Sequence, residues 1–441
     1  MARTILGRLA YSLRPFTGRA WIATLAVTTL LFCMATASGQ TRSNIVVSQI
    51  NWLTPFPSGQ VLSPGNAAGS SFAVNSNGDI LIGTTYGNQV LLVNGQTGTA
   101  TSLGSFQNIG AVAVDSQNNL YVAGAYTGYI VKLPYVNGTY AALTTDPQTT
   151  VPPSCTGSDT AECAWGENNL YYSGNNYWFG VTSMTFDSAG DLFFATNDTN
   201  NNTGSNPYSI FECSAACVAA ANTSTVGTGS TVPALLFTEP TPTSSTAPGC
   251  TGSTVQVTVG GLGVDPWGNL FFTDSAIDTC GSTGGGVNQS DASNLKEMLY
   301  SGGAYSAPNT LYAFTPNPVG SYDDQLDGVA VDGNGTVYFA TQYDGILAFP
   351  NTQTGPVSGN PEIYGVSTQG SKVLALDAKG NIYAVSSVQQ AGTSNYVDTL
   401  GRVSVNNLAL PASPVGTAAT ATNATVMVND ADCTTAAVTI A

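Results

Sequence analysis

The sequence predicts an all-β fold, a propeller of six blades. Three observations carry this. One strand–turn–strand pattern recurs six times, the copies stand far enough apart for four short strands each, and no sustained helical periodicity appears after residue 40. The copies read FAVNSNGDILIG from Phe72, AVAVDSQNNLYVAG from Ala111, SMTFDSAGDLFFAT from Ser183, GLGVDPWGNLFFTD from Gly261, GVAVDGNGTVYFAT from Gly328 and VLALDAKGNIYAV from Val373.

Each copy has the chemistry of a β-hairpin. An Asp or Asn side chain can hydrogen-bond backbone N–H groups two residues on and fix the turn. A Gly or Asn near the end of the turn accepts positive φ. Alternation along the strand sends Val112 and Val114 to one face and Ala111 and Ala113 to the other, where small side chains let sheets approach closely. The anchors are Asn75, Asp115, Asp187, Asp265, Asp332 and Asp377, and their spacings of 40, 72, 78, 67 and 45 are uneven. A blade needs about 40 residues, so the excess in the middle maps to insertions, expected to gather on one face of the disc. The last copy lacks an obvious fourth strand. The free apolar segment Ile45–Ile50 is expected to supply it and remove an open edge.

Composition agrees. Gly 49 with only 8% charged residues suits short strands and many tight turns, and a hydrophobic fraction of 42% is too high for disorder. The N-terminus reads as an export signal, residues 1–37. Arg3, Arg8, Arg14 and Arg19 precede an apolar run from Trp21 to Met34, and Ala35-Thr36-Ala37 offers small residues for cleavage. The run is shorter than the ~20 residues a spanning helix needs, so the expectation is a secreted or cell-surface protein with no membrane insertion after cleavage. Four of the ten basic residues lie in the signal and none of the 26 acidic ones, leaving 6 against 26, a net charge of −20. Such a surface repels nucleic acid.

Export implies an oxidising compartment. Cys155 with Cys163 and Cys213 with Cys217 are candidate local disulfides, and Cys250 with Cys280 a candidate brace for a longer insertion. The propeller is expected over 38–405. Residues 406–441 form a linker and a strand segment, ATVMVND from Ala424, that looks like the start of an immunoglobulin-like module.

Segments such as GAVAVDSQNNLYVAGAYTGYIVKLP and DGVAVDGNGTVYFATQYDGILAFP resemble NHL repeats, and equally the blades of SMP-30/gluconolactonase-type propellers, over about residues 70–405. The fold hosts many activities. With no histidine in the chain, Ser-His-Asp and Cys-His mechanisms are excluded. The second resemblance implies one divalent cation, such as Ca²⁺ or Mg²⁺, at the channel mouth, with Asp327 as a ligand and Asp324 close enough to add oxygen. Asp327 lies five residues before its anchor. The same offset elsewhere gives Ser70, Gly110, Thr182, Gly260 and Lys372, so the Glu and Asn that the family supplies have no counterpart. An Asp327–Lys372 ion pair between blades is the alternative.

The other candidate site is aromatic. Trp165, Tyr171, Tyr172, Tyr177 and Trp178 fall close together among asparagines, a mixture suited to carbohydrate or peptide; the alternative is that this insertion buries its rings on the propeller. The leading expectation is therefore a module that binds a protein or glycan partner without a cofactor. A metal-dependent lactone hydrolase, and a structural repeat of a larger surface protein, are the alternatives.

Overall fold

A computed structural model describes residues 46–49, 71–84, 88–95, 99–125, 130–144, 146, 149–150, 152–155, 160–165, 179–198, 208–220, 233–239, 254–280, 287–314, 326–341, 345–349, 351–352, 355–356, 362–363, 374–377, 380–389, 396–406, 426–429 and 435–438. The chain divides into two compact units, residues 1–46 with 406–419 and residues 47–405 with 420–441. The second unit carries the repeated sheets.

The fold is an all-β propeller. Four-stranded antiparallel sheets follow one another along the chain. Five take all their strands from one continuous stretch, opening with Ser71–Val74, Ile109–Val114, Phe179–Phe186, Thr254–Val264 and Leu326–Val331. One more sheet is composite. Leu374–Leu376, Ile382–Gln389 and Tyr396–Asn406 pair in order, and Val46–Gln49 adds the outer strand. Numbered by their opening strands, these are the first to sixth sheets. The opening strand of each packs beside that of the next, and Leu374–Leu376 packs beside Ser71–Val74.

The anchor turns explain why the strands stop where they do. In five of them the side-chain oxygen accepts two backbone N–H groups, from the residues two and four positions on. Asp115 Oδ1 takes Gln117 N at 2.9 Å and Asn119 N at 2.8 Å, and Asp265 Oδ1 takes Trp267 N at 2.9 Å and Asn269 N at 2.8 Å. Asn75, Asp187 and Asp332 repeat this, and Asp377 holds Asn381 N. The third residue after every anchor has positive φ. It is Gly78, Gly190, Gly268, Gly335 and Gly380 in five turns and Asn118, at φ 67, in the other.

Packing runs through both faces of every sheet. The second sheet turns Val112, Leu120, Val122, Val131 and Leu133 toward the first. Its other face sets Ala111, Ala113, Tyr121 and Ile130 against Val181, Met184 and Phe194 of the third. The large and small faces expected for this strand are thus two interfaces. Burying one such aliphatic side chain is worth about 1.5–3 kcal/mol, and these layers leave little space. A Cβ on Gly180 or Gly110 would run into the backbone oxygen of Ala125 or Val181.

The insertions do not share one face. In an up-and-down sheet, links between first and second and between third and fourth strands leave one face, and all other links leave the opposite face. The third-to-fourth links carry the hairpins Tyr135–Tyr140, Tyr300–Tyr305 and Asn351–Pro356 and the short helix Ala215–Ala220, all on the anchor-turn face. The segments 166–178, 240–253 and 315–325 join strands at the opposite end. Two disulfides, Cys155–Cys163 and Cys213–Cys217, staple third-to-fourth links. Cys250 and the side chain of Cys280 lie outside the described residues, as does the expected signal. No helix among the described residues is long and apolar enough to cross a membrane. Of the C-terminal segment, Val426–Asn429 and Thr435–Val438 form a two-stranded hairpin.

Candidate functional site

Six opening strands surround one cavity of about 240 Å³. The residues just before the anchors all line it: Val74, Val114, Phe186, Val264, Val331 and Leu376. All the anchor turns therefore ring the same end of the channel, where the side chains of these residues pack between neighbouring sheets. Each opening strand is also the inner edge of its sheet, so backbone groups not taken by the second strand face inward. Ser71 caps one such set: its hydroxyl accepts from Val112 N at 2.9 Å and donates to Val112 O at 3.3 Å.

The other end of the channel is shaped by a repeated irregularity. The ladder between first and second strands slips between Ile109 and Ala111, between Val181 and Ser183, between Val259 and Gly261, and between Leu326 and Val329. These β-bulges fall at the same distance before each anchor. They leave Gly110, Thr182, Gly260 and the Asp327–Gly328 pair without opposing partners. A bulge re-aims the residue it frees and is favoured beside functional sites. The offset that singled out Asp327 in the sequence is thus the bulge position of the propeller.

As a metal site this ring fits poorly. Two of its positions, Gly110 and Gly260, bring no side-chain oxygen, and Gly110 has no room for a side chain because the Val181 carbonyl occupies it. The Thr182 hydroxyl points at Ala195 O, at 3.5 Å. A hard divalent ion takes six or more oxygen ligands. Asp324 and Lys372, and the side chain of Asp327, lie outside the described residues. Among the described residues no group of three His, Cys, Asp or Glu side chains is placed to hold a metal.

Of the aromatic candidates, Trp165 is buried, and this corrects its assignment to a binding surface. Its ring meets Tyr121 edge-on at 5.4 Å and its indole N–H donates to Val218 O at 2.8 Å. The disulfide-stapled helix that carries Val218 is thereby tied to the second sheet. Tyr171, Tyr172, Tyr177 and Trp178 lie outside the described residues.

Two polar constellations went unnoticed in the sequence, and both belong to the fourth sheet. On the face toward the third sheet, Lys296 Nζ lies 2.6 Å from Asp274 Oδ2 and 3.0 Å from Glu239 Oε2. Tyr208 donates its hydroxyl to Asp274 Oδ2 at 2.9 Å, and Asn294 donates to Asp274 Oδ1 at 2.9 Å. Burial works against the Lys296 ammonium, but the two carboxylates outweigh it and hold the group above its ordinary range. Burial, then the Asp274 and Glu239 charges, push the Tyr208 phenol up. On the opposite face, toward the fifth sheet, Glu297 is fully buried and its carboxyl oxygens have no hydrogen-bond partner. Burial, then the Asp265 charge, raise it to about 7. Asp274, Lys296 and Glu297 are charged residues in strands and look like solvent-facing positions, so periodicity gives no hint of either constellation.

No family model matches the chain, and no curated protein does. Solved structures do. A gluconolactonase from Xanthomonas campestris is 12% identical over 82% of this chain and 97% of its own, with a TM-score of 0.43. A luciferin-regenerating enzyme is 12% identical over 82% and 95%, with a TM-score of 0.47. The calcium-binding protein regucalcin from Agrobacterium tumefaciens is 12% identical over 78% and 94%, with a TM-score of 0.43. The likeness is to gluconolactonase-type propellers, and at these identities it is one of fold.

Proposed function

We propose that the chain is an exported six-bladed propeller whose channel mouth and adjoining long links bind a protein or glycan partner. The observation that carries this is the ring of bulges. It frees a residue at the mouth in the second, third and fourth sheets and the Asp327–Gly328 pair in the fifth, and in the second and fourth sheets that residue is glycine, which brings backbone and no charged side chain to a ligand. The sheet order supports the ring, since Val46–Gln49 completes the composite sixth sheet and removes its open edge.

A second reading has its own observation. Asp327 stands at a bulge on the mouth side of the fifth opening strand, the position from which a carboxylate would serve a metal-dependent lactone hydrolase. The names of the gluconolactonase neighbours bring this reading forward. In it Asp327 and Asp324 hold Ca²⁺ or Mg²⁺, and the links at the mouth must supply the remaining oxygens.

Thermal unfolding separates the two. The protein is stripped with chelator, then titrated with Ca²⁺, Mg²⁺, Mn²⁺ or Zn²⁺. Binding to the native state raises the midpoint with concentration. The partner-binding reading expects no shift with any of these ions. A rise with one of them that disappears in Asp327→Ala overturns it in favour of the hydrolase, whose lactone turnover is then assayed.

A further inference from the structure

The Lys296 constellation holds the components of a condensation between side chains. We propose that Lys296 and Asp274 form a covalent amide cross-link, with Glu239 carrying the proton. The geometry assigns each group a part. Lys296 Nζ is the nucleophile, 2.6 Å from Asp274 Oδ2 and so beside the carboxyl carbon it must reach. Asp274 is the electrophile, and both its oxygens accept hydrogen bonds, Oδ2 from Tyr208 and Oδ1 from Asn294. Those donors stabilise the charge that develops on the carboxyl oxygens as the tetrahedral intermediate forms. Glu239, 3.0 Å from Nζ and 3.2 Å from the Tyr208 hydroxyl, is placed to take a proton from nitrogen.

The atoms balance without an outside reagent. One ammonium proton passes to the Asp274 carboxylate, leaving amine and acid. The amine nitrogen forms a bond to Cγ. Glu239 removes a second proton from that nitrogen and returns it to the departing hydroxyl, which leaves as water. Ammonium and carboxylate thus become amide and water, and no electron changes hands.

Two physical effects favour the step. Register fixes the partners: Asp274 pairs with Asn294 and Phe272 with Lys296, so the two side chains are diagonal neighbours on one face of adjacent strands. Held together in this way, the groups react at a high effective concentration. Side-chain exposure is 12% for Lys296 and 4% for Asp274. Two ions buried to this degree carry a desolvation cost that a neutral amide does not.

The test is the intact mass of the purified full-length protein, followed by tryptic mapping. The cross-linked chain is lighter by one water than its disulfide-bonded sequence requires. Trypsin fails to cut after Lys296, and a branched peptide joins the segments around 274 and 296. Asp274→Asn, which keeps the shape of the side chain, gives the same branched peptide with loss of ammonia instead of water. Glu239→Gln keeps the fold, checked by circular dichroism, but loses the branched peptide. Full sequence mass with normal cleavage after Lys296 in the folded wild-type protein overturns the proposal and leaves a buried ion pair. An undiminished cross-link in Glu239→Gln overturns the role given to Glu239.

Discussion

Asp115 shows how much one side chain does in this fold. Besides its two backbone N–H groups, it accepts Asn119 Nδ2 at 2.8 Å and the Tyr121 hydroxyl at 3.2 Å through Oδ2. Tyr338 and Tyr383 repeat that contact to Asp332 and Asp377. Phe193 and Phe271 stand at the same position after Asp187 and Asp265 and have no hydroxyl to give. Asp115→Ala therefore strands a buried phenol as well as the turn, and is expected to cost about 3 kcal/mol by denaturant unfolding, against about 1–2 for Asp187→Ala. The anchors and their left-handed third residues were legible in the sequence, because that chemistry is local. Trp165 was misread because an aromatic residue beside asparagines looks the same whether it faces solvent or a neighbouring sheet. Its partners, Tyr121 and Val218, lie 44 and 53 residues away along the chain.

At the scale of elements, two devices recur that alternation cannot reveal. The bulges change which residue faces the channel without changing residue type. The hairpins Tyr135–Tyr140 and Tyr300–Tyr305 have the same build. Tyr135 N and Tyr300 N are held by Asn119 Oδ1 and Asn269 Oδ1 of their own turns, and the tyrosine rings pack at 4.8 and 5.0 Å. Both reach to the sheet before their own: Tyr140 and Tyr135 accept from Asn75 and Asn77, and Tyr305 meets Phe193 edge-on. The matching strings YVNGTY and YSGGAY are a signal that sequence reading can use.

The third strand of the fourth sheet also sets a pH dependence. Glu297 titrates near 7 in the folded chain and near its ordinary 4.5 when unfolded. Between those values the native state holds a proton that the unfolded chain releases, so the contribution of this group to stability is greatest below 4.5 and falls as pH rises to 7. The full loss is up to about 3 kcal/mol. Unfolding midpoints across pH 4–8 should show this limb. Glu297→Gln should flatten it and exceed the wild type at pH 8. A wild-type midpoint that rises from pH 5 to 7, with the same rise in Glu297→Gln, would count against the buried acid.

For the whole molecule, the propeller was legible because its repeat carries both turn chemistry and strand pattern six times over. The distribution of insertions was not, because which face a link leaves depends on its parity within the blade and not on its composition. The composite sheet gives the global prediction. A chain lacking residues up to Gln49 exposes the hydrogen-bonding edge of Tyr396–Asn406. It should unfold several degrees lower and self-associate, as measured by calorimetry and sedimentation.

That same pairing orders events in time. Val46–Gln49 is made about 350 residues before the strand it must meet, so the pairing waits until almost the whole chain has been synthesised. Earlier sheets can assemble as they appear, each tyrosine hairpin fastening to a predecessor already in place. The final seam waits for the last sheet. Until then the sixth sheet lacks its outer strand, and it is completed only when almost the whole length has been made.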